Sequence, residues 1–228
     1  MEQSKIWDHF QGSGAVDDVF AGSLPRYAYL ARQLRAGTHV LNIGVGRGGL
    51  EQLLIDKGVI VSSLDPGTAS IEGIRARLGM GERARVGYSQ SMPFDDASFD
   101  AVIMSEVLEH LTDDVLTATF SEVARVLKPD SRFIGTVPHD ENLADNITLC
   151  PHCGERFHRW GHVRSFDPAR LSQSLAGGGF RVVRMQVMAF VDWRRSGIGN
   201  FLKSTVRHVL GRMGARIAIP SIYFEACR

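Results

Sequence analysis

From Thr38 onward, short apolar runs alternate with segments whose apolar positions recur at helical spacing. Thr38–Ile43 (THVLNI), Val59–Leu64 (VIVSSL), Phe99–Met104 (FDAVIM) and Arg132–Pro138 (RFIGTVP) are continuous enough to predict buried strands, and Ala84–Tyr88 predicts a further one. Between them, residues 50–58 (LEQLLIDKG), Ala69–Leu78 and Val115–Leu127 predict helices. Leu24–Arg35 predicts another, with Pro25 in its first turn, where a missing N–H costs least. Strand alternating with helix argues for a parallel sheet covered on both faces.

The rhythm breaks after Pro138. Residues 139–166 read as loop and hold His139, His152, His158 and His162, four of the eight histidines, with two of the three cysteines. A helix (residues 167–179) and a strand (180–188) follow, then a basic stretch from Trp193 to Ile219 and a last strand, IYFEAC. Residues 1–23 are mixed and Gly-bearing, a partly helical lead-in expected to close over a ligand. The reading is one domain: lead-in 1–37, cofactor-binding core 38–138, Cys/His insertion 139–166 and substrate-side segment 167–228.

Composition narrows this. At 228 residues, 44% hydrophobic and 22% charged, the chain can bury a full core. A formal net charge of +1 argues against a large phosphate footprint, so nucleic acid is not the expected partner. No stretch reaches the roughly 18 apolar residues a membrane span needs. The N-terminus lacks the apolar core of a signal peptide, and three cysteines make no disulfide scaffold, so a cytoplasmic location is expected. From Trp193 to Arg228 there are seven basic residues and one acid, Glu225. That amphipathic segment is read as packing on its own domain or forming a substrate lid, ahead of peripheral membrane contact.

The turn Gly44-Val45-Gly46-Arg47-Gly48-Gly49 follows a strand and opens a helix, so it lets a backbone approach a ligand closely and points free N–H groups at an anion. Asp65, ending the next strand before Pro66 and Gly67, suits the two hydroxyls of a ribose. These features fit a nicotinamide dinucleotide as well as a methyl donor.

Residues 87–111 (GYSQSMPFDDASFDAVIMSEVLEHL) and 125–138 (RVLKPDSRFIGTVP), taken with VLNIGVGRG and SLDPG, resemble the class I S-adenosylmethionine-dependent methyltransferases, especially the ubiquinone/menaquinone-biosynthesis type. The resemblance runs from about Val40 to Pro138. It implies a Rossmann-like α/β fold with a mostly parallel seven-stranded sheet, helices on both faces and a final antiparallel strand at or near an edge. It also implies S-adenosylmethionine as cofactor, held by Asn42, Gly44, Gly46, Gly48, Asp65, Pro66, Ser89, Gln90, Ser105 and Glu106. The sequence departs from the family at three points. Asn42 stands where an acid is usual, so the charge is lost there. Tyr88 stands where an acid is common, and Lys128-Pro129-Asp130 replaces Lys-Pro-Gly.

The insertion reads C-x2-C-x4-H-x3-H at Cys150, Cys153, His158 and His162, a spacing that resembles a zinc knuckle and predicts a structural zinc ion in a small zinc-binding insertion, with His152 as an alternative ligand. Such an ion would order a lid or substrate wall beside the strand ends, with Arg156, Arg159, Trp160 and Arg164 as a basic, aromatic surface. Methyl transfer needs a base only for a weakly acidic acceptor. The catalytic candidates are His139, directly after the fifth strand, and His110, with Glu106, Glu109 and Asp140 behind them. The expected function is methylation of a small-molecule, sugar or lipid-precursor acceptor. The rivals are a nucleic-acid-binding or RNA-modifying protein using the zinc module, a nicotinamide-dependent oxidoreductase, and a catalytically silent donor-binding protein.

Overall fold

The computed structural model describes residues 23–190, 205–206, 209–210 and 220–228. Along the chain run α1 (Leu24–Arg32), β1 (His39–Ile43), α2 (Gly49–Asp56), β2 (Ile60–Asp65), α3 (Thr68–Leu78), β3 (Ala84–Val86) and β4 (Phe99–Ser105). After a 3-10 turn at Leu108–His110 come α4 (Asp113–Val126), β5 (Leu127–Pro138), β6 (Ile147–Leu149), β7 (Arg156–His158), α5 (Pro168–Gly177), β8 (Arg181–Met188) and β9 (Ser221–Cys227).

Among the described residues, seven strands form one sheet in the order β3-β2-β1-β4-β5-β9-β8. β1 to β5 pair in parallel, and β9 runs antiparallel to both β5 and β8. The mostly parallel seven-stranded sheet is therefore present, with its reversed strand one place in from the edge. Strand order turns back between β1 and β4, and the crevice at the carboxyl ends of those strands is where open α/β sheets take their ligands.

Alternation along the strands feeds two cores, since successive side chains leave a strand on opposite faces. Leu41, Ile43, Val102 and Met104 pack with Phe120 and Val123 of α4 and Leu171 of α5. Val40, Val61, Ala101 and Ile103 pack with Leu30 of α1, Leu54 of α2 and Ile71 of α3. Gly135 sits where the sheet leaves no room for a side chain. A Cβ there would lie 2.4 Å from the Met104 carbonyl oxygen and 2.5 Å from the Phe224 ring. Gly135→Ala is expected to destabilise the fold by about 1–3 kcal/mol through overpacking, read as a lower urea midpoint at unchanged slope.

Several boundaries move. α1 ends at Arg32, because Gln33 and Leu34 donate to Leu30 and Ala31 and tighten its last turn into 3-10 geometry. β5 starts at Leu127, and its register against β4 shifts between the Phe99 and Ala101 pairings. Asp130, in that irregular stretch, has φ 59°, the left-handed conformation for which glycine is usual and which Asp tolerates better than most residues.

Residues 139–166 are more ordered than a loop. Asn142 caps a 3-10 turn at Leu143–Asn146, and β6 and β7 form a two-stranded antiparallel hairpin. The segment is tied to the core. Val163 N–H donates to the Glu109 carbonyl (2.9 Å), Arg164 Nε donates to the Leu111 carbonyl (2.8 Å), and Arg164 pairs with Asp113 at 2.9 Å. Arg164 is thus an anchor rather than part of a free basic surface. Arg159 lies over the Trp160 ring, 4.5 Å from its centre.

The lead-in up to residue 22 and nearly all of the basic stretch 193–219 lie outside the described residues, as do the lid and membrane-contact readings placed on them. Among the described residues no helix is long and apolar enough to cross a membrane.

Candidate active site

The glycine turn leaves β1 at the crevice. Gly44, Gly46 and Gly48 have φ of 86°, 53° and 72°, which side chains rarely adopt. At Gly48 a Cβ would also meet Ile74 at 2.5 Å and Arg77 at 2.7 Å, so α3 can press on the turn only because no side chain is there. Asp65, 4% exposed at the end of β2, braces the turn: its Oδ2 accepts from Val45 N–H (2.9 Å) and its Oδ1 from Gly67 N–H (2.8 Å). Carboxylate oxygens accept from O–H as well as N–H donors, so this side chain is of the type that takes ribose hydroxyls. Pro66, next in the chain, is exposed.

Asn42 is buried under the same turn. Its amide donates to Glu51 Oε1 at 2.6 Å, and Ser63 Oγ donates to that oxygen at 3.1 Å. The carboxylate missing at Asn42 is therefore supplied from α2. Burial pushes the Glu51 carboxyl up to about 7, against the pull of its Asn42 hydrogen bond. Position 51 shares the core-facing stripe with Leu50 and Leu54, and an acid on that stripe is the only local signal that could have revealed it.

At the end of β4, Ser105 Oγ meets Thr136 Oγ1 at 3.0 Å and accepts from Arg26 Nε at 3.0 Å, while Arg26 lies 3.8 Å from Glu106. Glu106 has φ 57°, a strained conformation for this residue type, held in part by its N–H donating to the Thr136 carbonyl. Arg26 had no motif to announce it; only the packing of α1 brings it here. Ser89 Oγ bonds Thr119 Oγ1 (2.8 Å) beside exposed Gln90.

Asn42 Oδ1, Glu51 Oε2 and Glu106 Oε1 are buried without hydrogen-bond partners. Unsatisfied acceptors along one crevice suit a ligand that brings N–H donors, as the ammonium and adenine amino groups of S-adenosylmethionine do. Together with the glycine cradle and Asp65, they fit that cofactor.

The histidines separate. His139 N–H donates to the Pro220 carbonyl, and its Nδ1 is buried without a partner. His110 is buried, with Nδ1 3.2 Å from the Gly161 carbonyl. Burial, then the neighbouring His162, pushes its pKa down to about 3, so it is neutral and a weak base.

The predicted zinc set does not come together. Hairpin register puts His158 opposite Ile147, while Cys150 lies three residues on from Ile147, just past the end of β6 and roughly 10 Å away at the usual strand rise. Cys153 is exposed at the hairpin tip, as is His152. His158, 6% exposed, instead lies 3.4 Å from Glu141, which also accepts a hydrogen bond from His162. The four residues do not fit one tetrahedral ion, because a hairpin cannot bring its tip and its base to the same point.

Known proteins show the family to which the chain belongs. Residues 41–135 match the family described as a methyltransferase domain. The chain is 31% identical to an O-methyltransferase of Aspergillus sclerotiorum, over 80% of this chain and 68% of that one. It is 33% identical to an S-adenosylmethionine-dependent methyltransferase of Mycolicibacterium smegmatis, over 64% of this chain and 53% of that one, so it spans about half that relative's length. In fold it is similar to 1,6-didemethyltoxoflavin-N1-methyltransferase of Burkholderia thailandensis, solved with that substrate and S-adenosylhomocysteine. The TM-score is 0.66 at 20% identity, covering 100% of this chain and 89% of that one. The chain belongs to the S-adenosylmethionine-dependent methyltransferases. Within them, the matched region runs from β1 into β5 and includes the glycine turn, Asp65 and the Ser105–Glu106 strand end.

Proposed function

We propose that this protein transfers a methyl group from S-adenosylmethionine to a small-molecule, sugar or lipid-precursor acceptor, within one cytoplasmic domain. The observation that carries the reading is the brace of Asp65 across Val45 and Gly67 beneath three left-handed glycines. The donor, when bound, supplies a methyl on a positively charged sulfur, whose in-line displacement depends on alignment and exclusion of water.

In this reading Gly44, Gly46 and Gly48 admit the methionine end, and Asn42 with Glu51 faces its ammonium. Asp65 takes the ribose, with Pro66 shaping the turn beside it. Ser89 and Gln90 border the adenine. Ser105 and Glu106, pinned by Arg26, form the wall toward the acceptor. His139 is the better-sited base for an acceptor that must lose a proton, since His110 is too weakly basic to hold one. An oxidoreductase is disfavoured because β9 runs against its neighbours, unlike the strand order 3-2-1-4-5-6 of dinucleotide folds.

Calorimetric titration with S-adenosylmethionine, its demethylated product and NAD(H) tests the reading. Binding of the first two alone is expected; binding of NAD(H) alone, or of none, would overturn it.

A further inference from the structure

Where the insertion meets the core, two carboxylates and three histidines crowd together. Glu109, His110 and His162 each offer a ligand atom, all within 4.8 Å of one another, and Glu141, His158 and His162 form a second such group sharing His162. The His110 and His162 rings lie 4.7 Å apart, as do those of His158 and His162.

Hydrogen bonds set the tautomers of His110 and His162. A carbonyl only accepts, so the contact with Gly161 O makes His110 Nδ1 the protonated nitrogen and leaves the lone pair on Nε2, which lies 3.9 Å from Glu109 Oε1. His162 Nδ1 donates to Glu141, which leaves its lone pair on Nε2 too. Glu141 is itself held by Asn146 Nδ2 at 2.9 Å. A histidine whose Nδ1–H is fixed by a carbonyl or a carboxylate is oriented as metal-binding histidines are. Independently, Glu109 is 1% exposed, and both its oxygens are buried without a hydrogen-bond partner. A carboxylate so placed is costly unless something neutralises it.

We propose that Glu109, His110 and His162 bind a divalent transition-metal ion, with Glu141 and the Gly161 carbonyl as the groups that orient the two imidazoles. Two histidines and one carboxylate suit Zn(II), Fe(II), Mn(II), Co(II) or Ni(II), and three protein ligands leave open positions for oxygen ligands such as water. Glu109 and His110 belong to the core and His162 to the insertion, so the ion staples the insertion down three residues beyond Glu106. Cys150 and Cys153 take no part. The inference stands apart from donor binding.

The test loads the full-length protein with Zn(II) or Co(II), removes excess by dialysis and counts metal per chain. One ion per chain is expected, with a Co(II) spectrum lacking thiolate charge-transfer absorption. Glu109→Gln, nearly isosteric and free of the buried charge, and His162→Ala are expected to weaken Zn(II) at least ~100-fold, since losing even an outer partner of a ligand costs 10–100-fold. The Cys150→Ser/Cys153→Ser double variant is expected to keep the ion. Circular dichroism establishes that each variant is folded. No ion retained by the wild-type protein, a thiolate band, or loss of metal in the double-cysteine variant would each overturn the proposal. Donor titration, run separately, shows whether the methyltransferase reading stands or falls on its own.

Discussion

Asp65→Ala is expected to lower the affinity for S-adenosylmethionine and S-adenosylhomocysteine by at least ~100-fold, measured by calorimetry. The side chain has two tasks. It accepts backbone N–H groups from Val45 inside the glycine turn and from Gly67 at the start of α3, and in the proposed reading it also takes the ribose hydroxyls. Hydrogen bonds to a charged acceptor are worth about 1.5–3 kcal/mol each, so removing the carboxylate both loosens the turn and strips the ribose of its acceptors. Asp65→Asn separates the two. Its amide oxygen can keep one backbone bond, but its NH2 is set against the other N–H, so most of the loss is expected to persist. Donor affinity within a few-fold of wild type in both variants would place the ribose elsewhere.

Glu51→Gln is expected to stabilise the protein above pH 7 and to change it little near pH 4.5. The carboxyl has a pKa near 4.5 when unfolded and is pushed up to about 7 when folded, chiefly by burial. The folded state therefore binds the proton more tightly. Stability contributed by this group is present below pH 4.5, falls as pH rises to about 7, and is constant beyond. The groups facing it are Asn42 and Ser63, which donate to Oε1, and Asp65, whose negative charge raises the pKa further. At 1.36 kcal/mol per pH unit the loss amounts to about 3 kcal/mol. The amide oxygen of Gln can keep both hydrogen bonds without a charge. Urea unfolding of both proteins at pH 5 and pH 8 checks this. Parallel pH profiles would mean that Glu51 is not protonated in the folded state. If Glu51 also faces the donor's ammonium, the stabilised variant binds S-adenosylmethionine more weakly.

Local chemistry made much of the core legible. The apolar runs at Thr38–Ile43, Val59–Leu64 and Phe99–Met104 each became a central strand, because a parallel strand covered on both faces must be apolar nearly throughout. The glycine turn needed no tertiary information either, since left-handed backbone confines the choice of residue. Ends were less legible. α1 stops early because its last turn tightens, and β5 begins early because the chain re-pairs with β4 across the Asp130 kink.

The sequence by itself determined the sheet's mostly parallel character, the crevice and the glycine turn, because each follows from period, apolar continuity or the backbone freedom of glycine. Only the tertiary structure decided which polar groups share a space. It supplied through Glu51 the carboxylate that Asn42 lacks, and it brought Arg26 across to Ser105 and Glu106. It also divided C-x2-C-x4-H-x3-H, leaving the cysteines at a hairpin tip and turning His158 and His162 inward to Glu141. Spacing along a chain limits how far apart ligands can be, but the register of a hairpin and the surface it docks on decide which way they face.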